Sequence, residues 1–332
     1  MRAATPERPQ LTRGYLIALA AAGILSTTAI FIRHLTLTTG IPALVLAFWR
    51  DLFVCLTLVP LLRVLKPGLL RVERGHLPYL AGYGLVLAVF NSTWTLSVAL
   101  NGAAVATVLV YCSAAFTALL GWWLLGERLG WGKVLAVAGS LAGCALVSGA
   151  LDPAAWRANV PGILTGVLAG LCYAAYSLMG RSASQRGLDP WTTVLYTFAF
   201  ATVFLLAANF LPGTPLPGAA ARPGDLLWLG GSVAGWGVLL ALAAGPTVAG
   251  FGLYNVSLSY LPSSVANLVV SLEPAFTTVS AYLLFGERLS AVQLAGSAMI
   301  LGAVAFLRVY EGWQEGQTVA PLNPDADAVA TD

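Results

Sequence analysis

Residues 114–129 read AAFTALLGWWLLGERL, and residues 274–289 read PAFTTVSAYLLFGERL. The two segments belong to a longer gapless match, in which residues 91–130 align with residues 251–290 at a constant offset of 160. Both copies contain Ala-Phe-Thr and end in Gly-Glu-Arg-Leu. Self-similarity at one fixed offset is the signature of a duplicated structural unit. The sequence therefore predicts two copies of one unit in the chain.

The composition of the chain indicates a membrane protein. Among its 332 residues, 58% are hydrophobic and only 9% are charged, with 17 Lys or Arg and 14 Asp or Glu. Soluble domains contain about 25% charged residues, and disordered chains are poor in apolar residues, so both classes are excluded. The net charge of +3 is too small and too scattered to indicate nucleic-acid binding.

Ten apolar segments are long enough to cross a bilayer, since a helical crossing needs about 20 residues. They are residues 14–34, 42–64, 76–99, 102–125, 131–150, 161–182, 190–211, 236–260, 263–285 and 290–310. Residues 226–235 are predicted as an interfacial or re-entrant stretch, and Pro246 predicts a kink in the eighth span. The predicted fold is an all-α integral membrane protein with ten transmembrane helices.

The number of spans in each copy predicts how the copies are oriented. Five is odd, so residues 14–150 and residues 161–310 are predicted to be two inverted five-helix repeats. Most Lys and Arg residues of the short loops share one side when the N-terminus is cytoplasmic, as the positive-inside rule requires. Residues 1–13 are then a cytoplasmic N-terminal segment, and residues 311–332 are predicted as a disordered cytoplasmic tail.

With ten spans in two five-helix halves, the sequence resembles the EamA-domain members of the drug/metabolite transporter superfamily. The repeated Phe-Thr and the Gly-Glu-Arg-Leu endings at 126–129 and 286–289 carry the likeness. The proline common in that family stands at Pro274 but is Ala114 in the first copy, which predicts a less kinked first copy. The resemblance implies secondary transport of small metabolites, frequently export of amino acids or related compounds.

Three ionisable residues are predicted at membrane depth: Arg50, Asp51 and Glu273. Each costs about 2.5–3.5 kcal/mol at a helix centre on insertion scales. Glu273 lies ten residues beyond Ser263, a rise of about 15 Å, which is half of the hydrocarbon core. It is therefore predicted at the midplane, and its counterpart in the first copy is Ser113.

Two roles are open for Glu273. It can bind a substrate ammonium or take up a proton during transport; alternatively, an ion pair with Arg50 locks two helices. Arg50 can instead hold a substrate carboxylate through its bidentate fork. Its neighbour Asp51 points about 100° away on a helix, so the two are not expected to neutralise each other, and Asp51 is predicted to be structural.

Uncharged polar and aromatic residues in the spans complete the set of candidate binding or coupling residues. Asn267 is favoured because it lies six residues before Glu273, close to the same helix face. For each residue alone the alternative is helix packing or an interfacial aromatic belt. The set comprises Asn91, Trp94, Thr95, Tyr111, Ser113, Tyr176, Tyr196, Asn255, Asn267 and Ser271.

The two acidic residues of the Gly-Glu-Arg-Leu endings are predicted to be structural. Glu127 and Glu287 fall at helix ends, where a helix cap or a loop salt bridge to Arg128 or Arg288 explains them. With two histidines, and four cysteines that lack a CxxC spacing, neither a metal nor another cofactor is predicted.

The sequence predicts an alternating-access transporter of the plasma (inner) membrane, both termini cytoplasmic, that moves a small polar metabolite such as an amino acid, preferably outward. Protons are a candidate coupling ion, and the protein is expected to be a monomer or homodimer. Alternatives are an exporter of multidrug or lipid-like amphiphiles, a membrane-embedded enzyme, and a channel. The enzyme is disfavoured because no catalytic cluster or P-loop is found, so the chain is predicted not to be an enzyme.

The predicted inversion places the two Gly-Glu-Arg-Leu loops on opposite faces of the membrane. In a background without native cysteines, Ser290→Cys should react with an impermeant maleimide added outside intact cells. The offset-matched Gly130→Cys should react only after permeabilisation. Labelling of both positions from one side would refute the inverted repeat.

Overall fold

The computed structural model describes residues 8–113, 116, 119–120, 130–147, 159–210, 216–261, 266, 269–270 and 272–318. Within these ranges the regular structure is entirely helical. The α-helices are α1 Arg8–Thr39, α2 Ala43–Leu65, α3 Leu77–Asn101, α4 Ala103–Val110, α5 Trp131–Val147, α6 Val160–Gln185, α7 Pro190–Asn209, α8 Val233–Leu242, α9 Val248–Tyr260, α10 Glu273–Phe285 and α11 Ala291–Thr318. Shorter helical turns are the 3₁₀ segments Pro67–Leu70, Arg74–His76 and Pro223–Leu227, and a π-helical turn, Ala243–Thr247.

Six helical stretches of the described chain are long and apolar enough to cross a membrane. They are Thr12–Thr39, Ala43–Leu65, Arg74–Asn101, Val160–Gln185, Pro190–Asn209 and Val233–Ser257. Shorter apolar helices occupy Val134–Gly143 and Ala291–Ala303. The all-helical membrane class is thereby confirmed. The count of ten stays a prediction, because the fourth and ninth predicted spans are interrupted and lie partly outside the described residues.

Helices of the two predicted copies interleave. α3 packs along α6 and α7, α1 packs along α9, and α5 packs along α11. Gly84 permits the close approach of α3 to α7, because a Cβ at this position would lie 2.4 Å from the Cβ of Phe200. The largest cluster of buried side chains extends across α1, α2, α3, α6, α7 and α9. The two sequence copies therefore share one core.

Pro246 interrupts the helical rod formed by α8 and α9. Proline has no N–H for the carbonyl of Leu242, four residues earlier. A π-helical turn shifts the hydrogen bonding here, and the N–H of Val248 donates to the carbonyl of Ala243. The Thr247 hydroxyl donates to the Leu242 carbonyl over 2.8 Å. The backbone is thus irregular at the position where the sequence predicts a kink.

Two predicted boundaries differ from the structure. The Ser232 hydroxyl accepts a hydrogen bond from the N–H of Gly235 over 3.1 Å and caps α8, so the helix begins at Val233, three residues before the predicted start of the eighth span. At the other end, α11 continues to Thr318, into the segment predicted as a disordered tail.

Removal of the Thr247 hydroxyl should destabilise the protein. Thr247→Val deletes the buried hydrogen bond to the carbonyl of Leu242, which lies four residues before Pro246. The expected cost is about 1 kcal/mol in the free energy of unfolding. Thr193→Val is the matched control, because the Thr193 hydroxyl is buried without a hydrogen-bond partner. Unfolding in detergent micelles measures both variants, and equal effects would contradict the role assigned to Thr247.

Candidate functional site

A cavity between the helices takes its walls from both predicted copies. Its lining residues are Leu25, Thr28, Arg50, Phe90, Asn91, Trp94, Thr107, Val110, Tyr111, Tyr173, Phe251, Tyr254 and Glu273. They come from α1, α2, α3, α4, α6, α9 and α10, with Tyr111 just beyond the end of α4. The free volume is about 40 Å³. The walls combine one basic and one acidic side chain with aromatic surface.

Arg50 and Asp51 form a buried ion pair at the edge of this cavity. The Arg50 Nε lies 3.4 Å from Asp51 Oδ1, and both residues are at most 1% exposed. Asn91 on α3 donates from Nδ2 to both carboxylate oxygens, over 2.9 and 2.7 Å. The expectation that these neighbours would not neutralise each other was wrong, because the long arginine side chain curls back toward the carboxylate.

Three cavity-lining residues carry buried polar atoms without a hydrogen-bond partner. They are Arg50 Nη2, Asn91 Oδ1 and Thr28 Oγ1. A buried donor or acceptor left unsatisfied costs about 1–3 kcal/mol, so such atoms are rare in folded proteins. Their concentration at one cavity is typical of a site that receives a polar ligand.

Glu273 is the first residue of α10, and its carboxylate faces Tyr111. The Tyr111 hydroxyl lies 3.1 Å from Glu273 Oε2 and 2.7 Å from the carbonyl oxygen of Val270. Arg50 and Glu273 line the same cavity, but Arg50 pairs with Asp51 rather than with Glu273. The helix-locking ion pair is therefore absent between these two described residues.

Both repeat-related helices are interrupted beside the cavity. α10 begins after a turn at Leu272, and Pro274 explains this break, because it cannot donate to the Val270 carbonyl. α4 ends at Val110, and the amides of Tyr111 and Cys112 donate to carbonyls only three residues earlier. The first copy is thus interrupted without a proline, although its alanine predicts a smaller kink.

Of the other candidate residues, Trp94 lies in the cavity lining, several lie outside it, and two lie outside the described residues. Trp94 lines the cavity and stacks on Phe90 with ring centroids 6.4 Å apart. Tyr176 accepts a hydrogen bond from Asn255 over 3.3 Å, outside the cavity lining. Tyr196 donates to the carbonyl of Leu70 in the first 3₁₀ segment, away from the site. Thr95 and Ser113 are buried outside the lining, and Asn267 and Ser271 lie outside the described residues.

Sequence reasoning missed several lining residues, including Thr28, Thr107, Tyr173 and Tyr254. The repeat itself contained a signal for part of this set. Adding the offset of 160 to Trp94 gives Tyr254, and adding it to Asn91 gives Phe251, and all four residues line the cavity. Thr28 and Tyr173 lie outside the aligned segments, so the repeat gives no indication of them.

Glu287 caps a helix, but not through Arg288. Its Oε1 accepts from Arg33 Nε over 3.0 Å and from the N–H of Ala103 over 3.3 Å. Its Oε2 accepts from the N–H of Ala104 over 3.2 Å, so the carboxylate satisfies the start of α4. The contact places the end of α10 beside the start of α4, and these two helices run in opposite directions. Glu127 lies outside the described residues.

Within the described residues, no group of three His, Cys, Asp or Glu side chains is arranged to hold a metal ion.

Comparison with known proteins places the chain among transporters. The EamA-like transporter family matches it twice, over residues 12–149 and 160–309. An uncharacterized transporter of Archaeoglobus fulgidus is 28% identical over 224 residues, covering 66% of this chain and 74% of that protein. The threonine/homoserine exporter RhtA of Escherichia coli K12 is 28% identical over 149 residues, 44% of each chain. One solved crystal structure shares the fold, with a TM-score of 0.59, 20% identity, and coverage of 90% of this chain and 98% of that one.

The two family matches together cover most of the 332 residues. The chain therefore belongs to the EamA-like transporter family.

Loss of the Asp51 carboxylate should destabilise the protein strongly. Asp51→Ala leaves the Arg50 guanidinium buried without its counter-ion, with an expected loss of about 3–5 kcal/mol in the free energy of unfolding. The double variant Arg50→Met/Asp51→Leu removes both charges and should recover most of this loss. Glu73→Ala is the surface control, because that side chain is 89% exposed. If Asp51→Ala is no less stable than Glu73→Ala, the ion pair is not structural.

Proposed function

We propose that the protein moves a small zwitterionic metabolite, such as a neutral amino acid, across the membrane by alternating access, in the direction of export. One observation carries this proposal: the same cavity contains a guanidinium and a carboxylate that come from different sequence copies. The guanidinium, that of Arg50, has a buried nitrogen without a hydrogen-bond acceptor. A substrate that brings both a carboxylate and an ammonium satisfies both groups.

The carboxylate end is assigned to Arg50. Its Nε is engaged by Asp51, while Nη2 is buried without an acceptor. Asp51 and Asn91 hold the guanidinium in place, so its remaining donor is pre-organised for a substrate carboxylate. Asn91 Oδ1 and Thr28 Oγ1 remain as further hydrogen-bonding groups for the substrate.

The ammonium end is assigned to Glu273. Glu273 belongs to the second sequence copy, whereas Arg50 belongs to the first. The cavity wall also includes the rings of Tyr173 and Tyr254. Aromatic faces stabilise a cation in addition to accommodating an apolar side chain. A multidrug or lipid-like amphiphile exporter is disfavoured, because a hydrophobic substrate would offer no acceptor to Arg50 Nη2 and no cation to the Glu273 carboxylate. The printed name of RhtA, threonine/homoserine exporter, agrees in substrate class with this chemistry.

The mechanism rests on the inverted repeat, with residues 14–150 and residues 161–310 as its two halves. Three observations support this repeat. The helices α4 and α10 are antiparallel, the repeat-related residues Trp94 and Tyr254 both line the cavity, and the family model matches the chain twice. Binding a metabolite on one side of the membrane and releasing it on the other requires the halves to rock against each other, which is the motion of alternating access.

We further place the protein in the plasma (inner) membrane with ten spans and both termini in the cytoplasm. Protons are the proposed coupling ion, because Glu273 is the acidic residue of the cavity lining. We also propose that the protein acts as a monomer or a homodimer.

Proteoliposome uptake tests the assignment. A radiolabelled neutral amino acid should be transported, whereas its primary amide and its deaminated acid, each lacking one of the two charges, should not compete. Glu273→Gln and Arg50→Lys should each lower uptake about 10- to 100-fold, as expected from the loss of one charged hydrogen bond. Glu73→Gln is the matched control on the protein surface and should transport normally.

An imposed pH gradient tests the coupling ion in the same vesicles. Wild-type uptake should respond to the gradient, and residual uptake by Glu273→Gln should not. Unchanged transport and pH dependence in Glu273→Gln would contradict the proposed role of this residue. Competition by the amide and the deaminated acid as strong as by the amino acid would contradict a zwitterionic substrate.

A further inference from the structure

The hydroxyl of Tyr111 is shared between two acceptors that it cannot serve at once. Its oxygen lies 2.7 Å from the Val270 carbonyl and 3.1 Å from Glu273 Oε2. A tyrosine hydroxyl has a single proton to donate. Both contacts can be full two-centre hydrogen bonds at the same time only if a proton on Glu273 donates to the Tyr111 oxygen.

The Val270 carbonyl is not an ordinary acceptor. In a continuous helix it would accept from the N–H of residue 274, four positions later. That residue is Pro274, which has no N–H, so the carbonyl is left over where α10 begins. Tyr111, which lies just beyond α4 in the other copy, supplies the missing donor. The interruption of the second copy is thus capped by a side chain from the first copy.

From these contacts we infer that Tyr111 is a positioning residue that couples the occupancy of Glu273 to the helix interruption at Pro274. When Glu273 is ionised and empty, the charge-assisted hydrogen bond attracts the Tyr111 proton, and the Val270 carbonyl loses its donor. When a proton binds Glu273, the carboxyl donates to the Tyr111 oxygen, and Tyr111 donates to Val270. A substrate ammonium bound to Glu273 has the same effect, because it satisfies the carboxylate and leaves the Tyr111 proton for Val270. This last step rests on the proposed function.

The surroundings of Glu273 leave few other groups to perform this coupling. Arg50 is engaged by Asp51 through its Nε, and the two remaining tyrosines of the wall make ring contacts with each other at 6.4 Å. Five titratable side chains face the cavity: Arg50 from α2, Tyr111 from the end of α4, Tyr173 from α6, Tyr254 from α9 and Glu273 itself. The residues that α1 and α3 contribute to the lining do not titrate; they are Leu25, Thr28, Phe90, Asn91 and Trp94.

A fluorine reporter at Leu272 tests the coupling without any substrate. Leu272 lies at the interruption and is 46% exposed, so a Leu272→Cys variant in a cysteine-free background accepts a trifluoromethyl label. In lipid nanodiscs, the ¹⁹F spectrum of the otherwise unaltered protein should change with pH. Glu273→Gln should abolish this change, because its amide does not titrate. Absence of any pH response in the starting protein would overturn the inference.

The decisive variant is Tyr111→Phe, which keeps Glu273 but removes the shared proton. The ¹⁹F response to pH should disappear in this variant. Tyr83→Phe is the matched control, because Tyr83 is a buried tyrosine outside the cavity lining, and it should retain the response. A normal response in Tyr111→Phe, or its loss in Tyr83→Phe, would overturn the assignment.

A second variant covers the case in which Tyr111→Phe does not fold. Pro274→Ala restores the N–H that the Val270 carbonyl lacks, so the Tyr111 proton can remain on Glu273 and the pH response should again be lost. A preserved response in Pro274→Ala would contradict the coupling. Because the reporter needs no transported compound, a failed uptake assay leaves this result interpretable, and a failed reporter experiment leaves the substrate assignment intact.

Discussion

A charge buried among apolar helices must have a partner, and this constraint organises the centre of the protein. Arg50 is 1% exposed, and its guanidinium pairs with the adjacent Asp51, whose carboxylate is held by Asn91 from another helix. The pair joins α2 to α3 and keeps one guanidinium nitrogen beside the cavity without an acceptor. Burial of an ion pair is tolerated only when further hydrogen bonds satisfy it, and Asn91 provides them here.

A buried backbone carbonyl also needs a hydrogen-bond partner, and this requirement applies at the helix interruptions. Pro274 removes one donor at the start of α10, and a hydroxyl from the other sequence copy compensates for it. Pro246 removes one between α8 and α9, where a π-helical turn shifts the backbone hydrogen bonding and the Thr247 hydroxyl also donates to the Leu242 carbonyl. In both places a side-chain hydroxyl donates to a carbonyl that lies four residues before a proline. Irregular backbone is tolerated at membrane depth where it is enclosed by protein.

Much of the architecture was accessible from the pattern of residues. Low charge and long apolar segments indicate a helical membrane protein, and the repeated Gly-Glu-Arg-Leu ending indicates the EamA-like family, which comparison confirms. Arg50, Asn91, Trp94, Tyr111 and Glu273 were selected by depth or polarity, and all five line one cavity. Tyr176, Tyr196 and Asn255 were selected by the same criteria but lie elsewhere, because polarity within a span does not reveal which way a side chain faces.

By itself, the sequence determined the helical membrane class, the family and the duplication, since each depends on composition, spacing or direct comparison of residues. Only the tertiary structure decided the partners: Asp51 for Arg50, Tyr111 for Glu273, and Arg33 with the start of α4 for Glu287. The physical reason is that these contacts depend on side-chain reach and on which helices meet. Glu287 lies 254 residues from Arg33 along the chain, and no local periodicity encodes that encounter.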